Sequence, residues 1–249
     1  MSSSRPFTSS LYLLTFTLLL QNVLGVDPLY SSCSGNENST VNYGSYRTSL
    51  NVLMGSFYHL APANNKGFAV GSLGQDNQDR PYGLVLCRGD VSSSDCRACV
   101  ANATRELRKR CPNSKVGIIF YDNCLLKYSN KHFFGQIDNG SNLYLYNVQN
   151  VSNPVVFNQK TEELLSRLAN KASYNSTKKY YAAGEMDLEG SKKLYGMAQC
   201  TRDLSSVDCK KCLDGAIGKL QSFAHGKRGG RVLGGSCMVR YEIYPFVRA

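Results

Sequence analysis

The sequence predicts an α+β protein built from two tandem copies of one small, disulfide-stapled domain. A cysteine pattern, C-x8-C-x2-C, occurs twice, and the second copy follows the first at a distance of 113 residues. The same distance relates the next cysteine of each copy and a Tyr-Gly pair before the pattern. A register kept over so many positions indicates an internal repeat. The related positions are Cys87 and Cys200, Cys96 and Cys209, Cys99 and Cys212, Cys124 and Cys237, and Tyr82-Gly83 and Tyr195-Gly196.

The expected helices and strands also recur in each copy. Apolar residues at helical spacing predict helices over 46–60 and 157–168, and each C-x-x-C is expected to open a second helix, over 99–110 and 212–223. Segments rich in β-branched and aromatic residues predict strands over 67–73, 82–88, 116–128, 180–183 and 231–246. Because each sheet is expected to have one face to bury, we predict an antiparallel β-sheet with two helices packed on one face in each copy.

Residues 1–25 have the composition of a secretory signal peptide. They contain one charge, Arg5, then an apolar run over 11–20 and small residues near position 25, where a signal peptidase would cut. No later segment is as long and apolar as a membrane helix. We therefore expect a secreted, extracellular protein without a membrane span.

The mature chain is expected to divide into a first domain over 26–134, a linker over 135–153 and a second domain over 154–249, with a start near residue 142 as the alternative. The linker is polar and contains two of five N-glycosylation sequons. Such sequons are used only where the backbone is exposed. The five acceptor residues are Asn38, Asn102, Asn139, Asn150 and Asn175.

The two copies differ in their number of cysteines. The first has six and the second has four, because Tyr146 and Ala224 stand where Cys33 and Cys111 would recur. A lone thiol is a liability in an oxidising compartment, so their joint loss indicates that Cys33 and Cys111 are partners. Three connectivities remain open for the other four cysteines of the first copy.

Two further segments complete a resemblance to a known family. They are Gly229-Gly230-Arg231-Val232-Leu233 and Arg240-Tyr241-Glu242-Ile243-Tyr244-Pro245-Phe246. With the doubled cysteine pattern after a signal peptide, they resemble the plant cysteine-rich repeat secretory proteins, which carry tandem ginkbilobin-homologous domains, over essentially the whole mature chain. The module is similar to the ectodomains of cysteine-rich receptor-like kinases and plasmodesmata-located proteins, which continue into a membrane helix, and this chain is expected to belong to the free secreted branch.

The resemblance also implies a complete disulfide pairing. The implied pairs are Cys33 with Cys111, Cys87 with Cys96, Cys99 with Cys124, Cys200 with Cys209, and Cys212 with Cys237. The first pair agrees with the joint loss in the second copy.

A candidate sugar site follows from the same resemblance. A single-domain relative, the antifungal seed protein ginkbilobin, binds mannose through an Asn, an Arg and a Glu whose offsets from the cysteines carry over to Asn147, Arg231 and Glu242. The first copy has Ser34, Ile118 and Ser129 at these positions, so an inherited site belongs to the second copy. The competing interpretation is that Arg231 and Glu242 form a cross-strand ion pair on a solvated face.

The implied function is extracellular binding of a mannose-type glycan, or of a protein partner such as a receptor ectodomain, in plant defence or stress signalling. Direct antifungal action resembling ginkbilobin and apoplastic redox sensing are the alternatives. No catalysis, cofactor or metal is expected, because none of the three histidines repeats or accompanies a nucleophile motif. A structural zinc site at Cys96, Cys99, Cys111 and Cys124 and a redox C-x-x-C motif stay open as minor alternatives. The net charge of +11 comes from scattered basic residues, so no nucleic-acid partner is expected.

Overall fold

A computed structural model describes residues 27–34, 43–63, 67–74, 80–174, 180–188 and 190–248. The expected signal peptide over 1–25 and the sequons at Asn38 and Asn175 lie outside the described residues. Within the described ranges, every helix is too short or too polar to cross a lipid bilayer.

Each copy contributes five strands and two helices. The first copy contains β1 (Tyr30–Ser34), α1 (Tyr43–Leu60), β2 (Phe68–Ser72), β3 (Tyr82–Cys87), α2 (Ser93–Arg110), β4 (Val116–Phe120) and β5 (Cys124–Ser129). The second copy contains β6 (Asn142–Tyr146), α3 (Pro154–Ser173), β7 (Tyr181–Asp187), β8 (Lys193–Cys200), α4 (Ser206–Phe223), β9 (Gly229–Gly234) and β10 (Cys237–Glu242).

The two copies have the same topology. The strand order is β1-β4-β5-β3-β2 in the first sheet and β6-β9-β10-β8-β7 in the second, and the pairings are antiparallel. Two helices cover one face of each sheet. The predicted fold class, two tandem α+β domains with five disulfides, is confirmed.

The second helix of each copy begins earlier than the C-x-x-C pattern predicts. Ser92 caps α2 and accepts a hydrogen bond from the Asp95 backbone N–H at 3.1 Å, while Ser205 caps α4 through the Asp208 N–H at 3.0 Å. A serine followed by an acid three residues later satisfies the free N–H groups of a first helical turn. The expectation that the cysteines open the helix was therefore wrong, because the first cysteine of each pattern already lies about one turn inside it.

The sequence analysis did not predict three of the strands: β1, β6 and β8. Strand β6 lies inside the stretch 135–153 that was expected to be a linker, and it pairs with β9 along its whole length. Its alternate residues Leu143 and Leu145 pack against the cluster between the two sheets, which explains why a short, polar-flanked segment forms a strand. The stretch is thus a connection only before and after β6.

Both faces of each sheet are buried, which corrects the expectation of a single buried face. Val85 and Cys87 of β3 face the helices of the first copy, whereas Leu84 and Leu86 of the same strand face the other sheet. The two sheets pack back to back through a third apolar cluster. Its buried members are Leu84, Leu86, Ile118, Phe120, Leu125, Met197, Leu233 and Met238.

All ten cysteines are paired in disulfides. The pairs are the five that the family resemblance implies, and Cys33–Cys111 is the one that has no counterpart in the second copy. The cysteines of each C-x-x-C bind different partners rather than each other, because they lie on a helix and face different strands. This arrangement contradicts both a zinc site and a C-x-x-C redox pair.

Candidate functional site

The three predicted sugar-binding residues line one cleft of about 200 Å³ at the end of the second sheet. Arg231 comes from β9, Glu242 ends β10, and Asn147 directly follows β6. Three neighbouring strands therefore bring together residues that are far apart in the sequence. The full lining is Leu145, Tyr146, Asn147, Gly229, Gly230, Arg231, Arg240, Glu242 and Tyr244.

Strand register explains why these side chains meet. Arg240 lies opposite Arg231, and Glu242 lies opposite Gly229. The side chains of Arg231, Arg240 and Glu242 therefore emerge on one face of the sheet. A backbone bond from the Asn147 N–H to the Gly229 carbonyl, at 2.8 Å, joins the third residue to the same strand. Leu233 lies two residues after Arg231 on β9 and therefore on the same face, and it belongs to the cluster between the sheets. The face that carries the cleft thus packs on the first copy farther along the strands.

Gly229 leaves room for the Glu242 carboxylate to lie over the backbone of β9. A Cβ atom at residue 229 would lie 1.8 Å from Glu242 Oε2, far inside van der Waals contact. The carboxylate therefore occupies the space that any other residue at 229 would fill. Gly229, the first glycine of the pair quoted for the family resemblance, thus helps to shape the cleft.

Arg231 and Glu242 do not form the ion pair that the competing interpretation predicts. Arg231 Nη1 donates instead to Asp122 Oδ1 of the first copy at 2.5 Å, and Glu242 Oε1 accepts from Arg240 Nε at 3.0 Å. The Arg231 side chain is only 17% exposed. The competing interpretation expected a solvated face, whereas this side chain is largely buried. Arg231 and Glu242 are thus each paired with a neighbour of opposite charge, and both still line the cleft.

The remaining lining groups supply hydrogen-bond donors and flat apolar surface. The Asn147 side-chain oxygen accepts from the Gln149 N–H at 2.9 Å, which orients the side-chain amide. Tyr244 is exposed beside the cleft, whereas the Tyr146 ring lies on the helix side of the sheet, 6.2 Å from the ring of Phe223. Arg240 lies over the Phe246 ring at 4.3 Å and donates to the Tyr244 hydroxyl at 3.2 Å, so the guanidinium is fixed on both sides.

Sequence reasoning missed Arg240, Tyr244 and Asp122. The first two alternate with Glu242 in the segment 240–244, and the period of two along a strand was a signal that could have placed them on one face. Asp122 had no such signal, because it comes from the other copy.

The first copy has no equivalent cleft residues. Ile118, at the position of Arg231, is buried in the cluster between the sheets, and Ser34 and Ser129 stand for Asn147 and Glu242. The asymmetry between the copies therefore confines the candidate site to the second one.

Three of the five sequons lie within the described residues. Asn139 and Asn150 are exposed outside helices, whereas Asn102 lies within α2 and its side-chain oxygen accepts from Arg105 Nη2 at 2.7 Å. Asn150 Oδ1 accepts from Lys227 Nζ at 2.9 Å.

Comparison with known proteins places the chain in a family. The model of the salt stress response/antifungal family matches residues 32–131 and 146–244, once for each copy. The chain belongs to this family. Its members include an antimicrobial ginkbilobin-2-like protein from Castanea crenata, 54% identical over 100% of both chains, and the cysteine-rich repeat secretory protein 38 from Arabidopsis thaliana, 51% identical over 88% of this chain and 86% of the relative.

Solved structures of the family have the same two-domain arrangement. The tandem DUF26 ectodomain of the Arabidopsis thaliana cysteine-rich receptor-like protein PDLP8 has a TM-score of 0.75 at 25% identity, covering 88% of this chain and 98% of that one. The ectodomain of PDLP5 has a TM-score of 0.70 at 28% identity, covering 88% and 100%. The predicted resemblance is confirmed. With secreted relatives and five disulfides, which persist in oxidising compartments, the protein is extracellular.

Proposed function

We propose that this family member is an extracellular carbohydrate-binding protein that recognises a mannose-type glycan through the cleft of its second copy, in plant defence or stress signalling. The observation that carries the proposal is the convergence of Asn147, Arg231 and Glu242 on one cleft. The sequence alone placed them on separate segments, and the adjacent strands β6, β9 and β10 bring them together.

The chemistry of the cleft suits a sugar. Vicinal hydroxyls both donate and accept, and the planar groups of Arg231, Glu242 and Asn147 offer donors and acceptors in fixed directions. The exposed ring of Tyr244 offers an apolar face to the C–H side of a pyranose. A net charge of +11 attracts the protein to anionic wall polymers before contact.

The proposed role is binding without catalysis. Hydrolysis of a glycosidic bond needs one carboxylic acid and one free carboxylate on opposite sides of the bond. Glu242 is engaged by Arg240 and Asp122 by Arg231, so neither carboxylate is arranged as a proton donor.

The decisive experiment is a glycan array probed with the mature protein and with Arg231→Ala and Glu242→Ala. We expect mannose-selective binding that each substitution reduces at least about tenfold, because each removes a charged hydrogen-bonding group. The matched control is Lys210→Ala with Asp214→Ala, which removes an exposed ion pair of α4 and should leave binding intact. Absence of glycan binding by folded protein would reject the proposal in favour of a protein partner such as a receptor ectodomain.

Direct antifungal action is the second candidate, favoured by the 54% identical relative that is described as antimicrobial. In this case the second copy would engage mannan of the fungal wall. Growth inhibition should then disappear in the Arg231→Ala, Glu242→Ala double variant, and inhibition that survives these changes would remove the cleft from the explanation.

A further inference from the structure

A second cleft lies on the helix side of the second sheet and shares no lining residue with the candidate sugar site. It has a volume of about 390 Å³, within the range of small-molecule sites. Its walls are the segment before α3, the first turns of α3, and single residues that flank β7, β8, β9 and β10. The lining is Val151, Ser152, Asn153, Val156, Phe157, Lys160, Leu188, Lys192, Arg228 and Ile243.

The floor of this cleft is apolar and continuous with the core. Phe157 is buried in the helix-side core, and Val151, Leu188 and Ile243 pack against that core from its edge. These residues come from three separate segments, so the floor is built by the tertiary structure. An apolar body placed here would be removed from water on several sides.

The charged residues of the rim that the structure describes are all basic. Lys160, Lys192 and Arg228 line it, and no carboxylate does so among the described residues. Lys160 Nζ is held by the Asp187 carbonyl at 2.8 Å, and Arg228 Nη1 by Gln149 Oε1 at 2.8 Å. The N-terminus of α3 opens beside them at Asn153 and adds a positive partial charge.

We propose that this cleft binds a small carboxylate with an apolar body, of the class of aryl or medium-chain alkyl carboxylic acids of about ten to fifteen non-hydrogen atoms. The apolar part lies on Phe157 and Ile243, and the carboxylate meets the lysines at the rim. The proposal is independent of the glycan site. It gives the secreted protein a second ligand, an amphipathic organic acid of the extracellular space.

Equilibrium dialysis of the mature protein against 2-naphthoate tests the proposal, with 2-naphthalenemethanol as the uncharged comparison. We expect saturable binding of naphthoate with a dissociation constant below about 1 mM, and binding of the alcohol at least about tenfold weaker. Lys192→Gln should weaken naphthoate binding about fivefold, since the rim charge is exposed. Lys219→Gln, which removes the same charge from exposed α4 surface, should leave it unchanged.

A pair of neighbouring substitutions locates the ligand. Val156→Trp fills the cleft from a residue that is 37% exposed and lines it, whereas Val155→Trp adds the same ring at a residue that is 63% exposed and does not. Only the first should abolish naphthoate binding. Absence of saturable binding, equal binding of the alcohol, or equal loss in both tryptophan variants would each overturn the proposal.

Discussion

At the residue scale, the candidate sugar site depends on one contact between a glycine and a carboxylate. The Glu242 carboxylate lies over Gly229 of the neighbouring strand, in space that a Cβ would occupy. The carboxylate is then oriented by Arg240, which is itself fixed against Phe246. The absence of a side chain at Gly229 thus allows the Glu242 carboxylate to take its position on the neighbouring strand.

Gly229→Ala is expected to weaken mannose binding at least about tenfold while the protein stays folded, because the flexible carboxylate end must move out of the cleft. Gly218→Ala is the matched control, since a Cβ there meets no atom within 4 Å and an exposed helix gains about 0.5–1 kcal/mol from the change. Titration of a mannose oligosaccharide against both variants measures the effect. Equal affinities would show that Glu242 does not contact the sugar.

At the element scale, the two copies hold the same edge strand by different means. In the first copy, Cys33 of β1 is joined to Cys111 after α2. In the second copy, Tyr146 of β6 replaces the first cysteine, and its ring lies 6.2 Å from that of Phe223 and 5.4 Å from Lys227 Nζ. Ring and cation contacts with the end of α4 therefore stand where the disulfide is lost.

Replacing Cys33 and Cys111 together by Ala should destabilise the protein by about 2–4 kcal/mol, because the disulfide joins residues separated by 78 positions and restricts the unfolded chain. Denaturant unfolding of the double variant measures the loss. Glycan binding should persist, since the cleft belongs to the other copy. A loss below about 1 kcal/mol would mean that β1 is held mainly by its pairing with β4.

At the scale of the whole molecule, the two copies form one unit because each sheet has a second apolar face. Gln199 Nε2 donates to the Cys87 carbonyl at 3.0 Å across the junction, and Gly89 lets the Tyr181 ring approach its backbone closely. The last residues cross back to the first copy, where the Arg248 N–H donates to Asp90 Oδ2 at 2.8 Å. The Arg231–Asp122 pair makes the candidate sugar site part of the same junction.

Leu125→Glu should lower the free energy of unfolding by at least about 3 kcal/mol and separate the two copies into two unfolding transitions, because it buries a charge between the sheets opposite the apolar residues Leu86 and Phe120. Val207→Glu places the same charge on an exposed residue of α4 and should change little. Scanning calorimetry distinguishes one transition from two. An unchanged single transition would show that the sheets do not stabilise each other.

The junction should also weaken in acid. Burial raises the pKa of Asp90, but hydrogen bonds from the Arg88 side chain and the Arg248 N–H outweigh this effect and hold the pKa below its ordinary value of 3.8. A carboxyl whose pKa is depressed on folding contributes stability above its unfolded pKa and loses it as pH falls through the folded pKa. This contribution is therefore present above about pH 4 and disappears below it.

Melting temperatures between pH 6 and pH 2 should show this loss, when wild-type protein is compared with Asp90→Asn. The wild-type advantage is expected to be constant from pH 6 to about pH 4 and to shrink below it. Asp214→Asn, on exposed α4 surface, serves as the control for general charge effects. A gap between wild-type and Asp90→Asn that stays constant to pH 2 would contradict the assignment.

The sequence by itself determined the repeat, the fold class and the partnership of Cys33 with Cys111, because cysteine register and apolar periodicity are local signals. The tertiary structure decided the rest. Continuous apolar runs such as Leu84-Val85-Leu86 bury both faces of a strand, but nothing in one copy shows that the other copy covers the second face. In the same way, Arg231 pairs with Asp122 rather than with Glu242. Asp122 belongs to the other copy, and only the packing of the two copies brings it within hydrogen-bond distance.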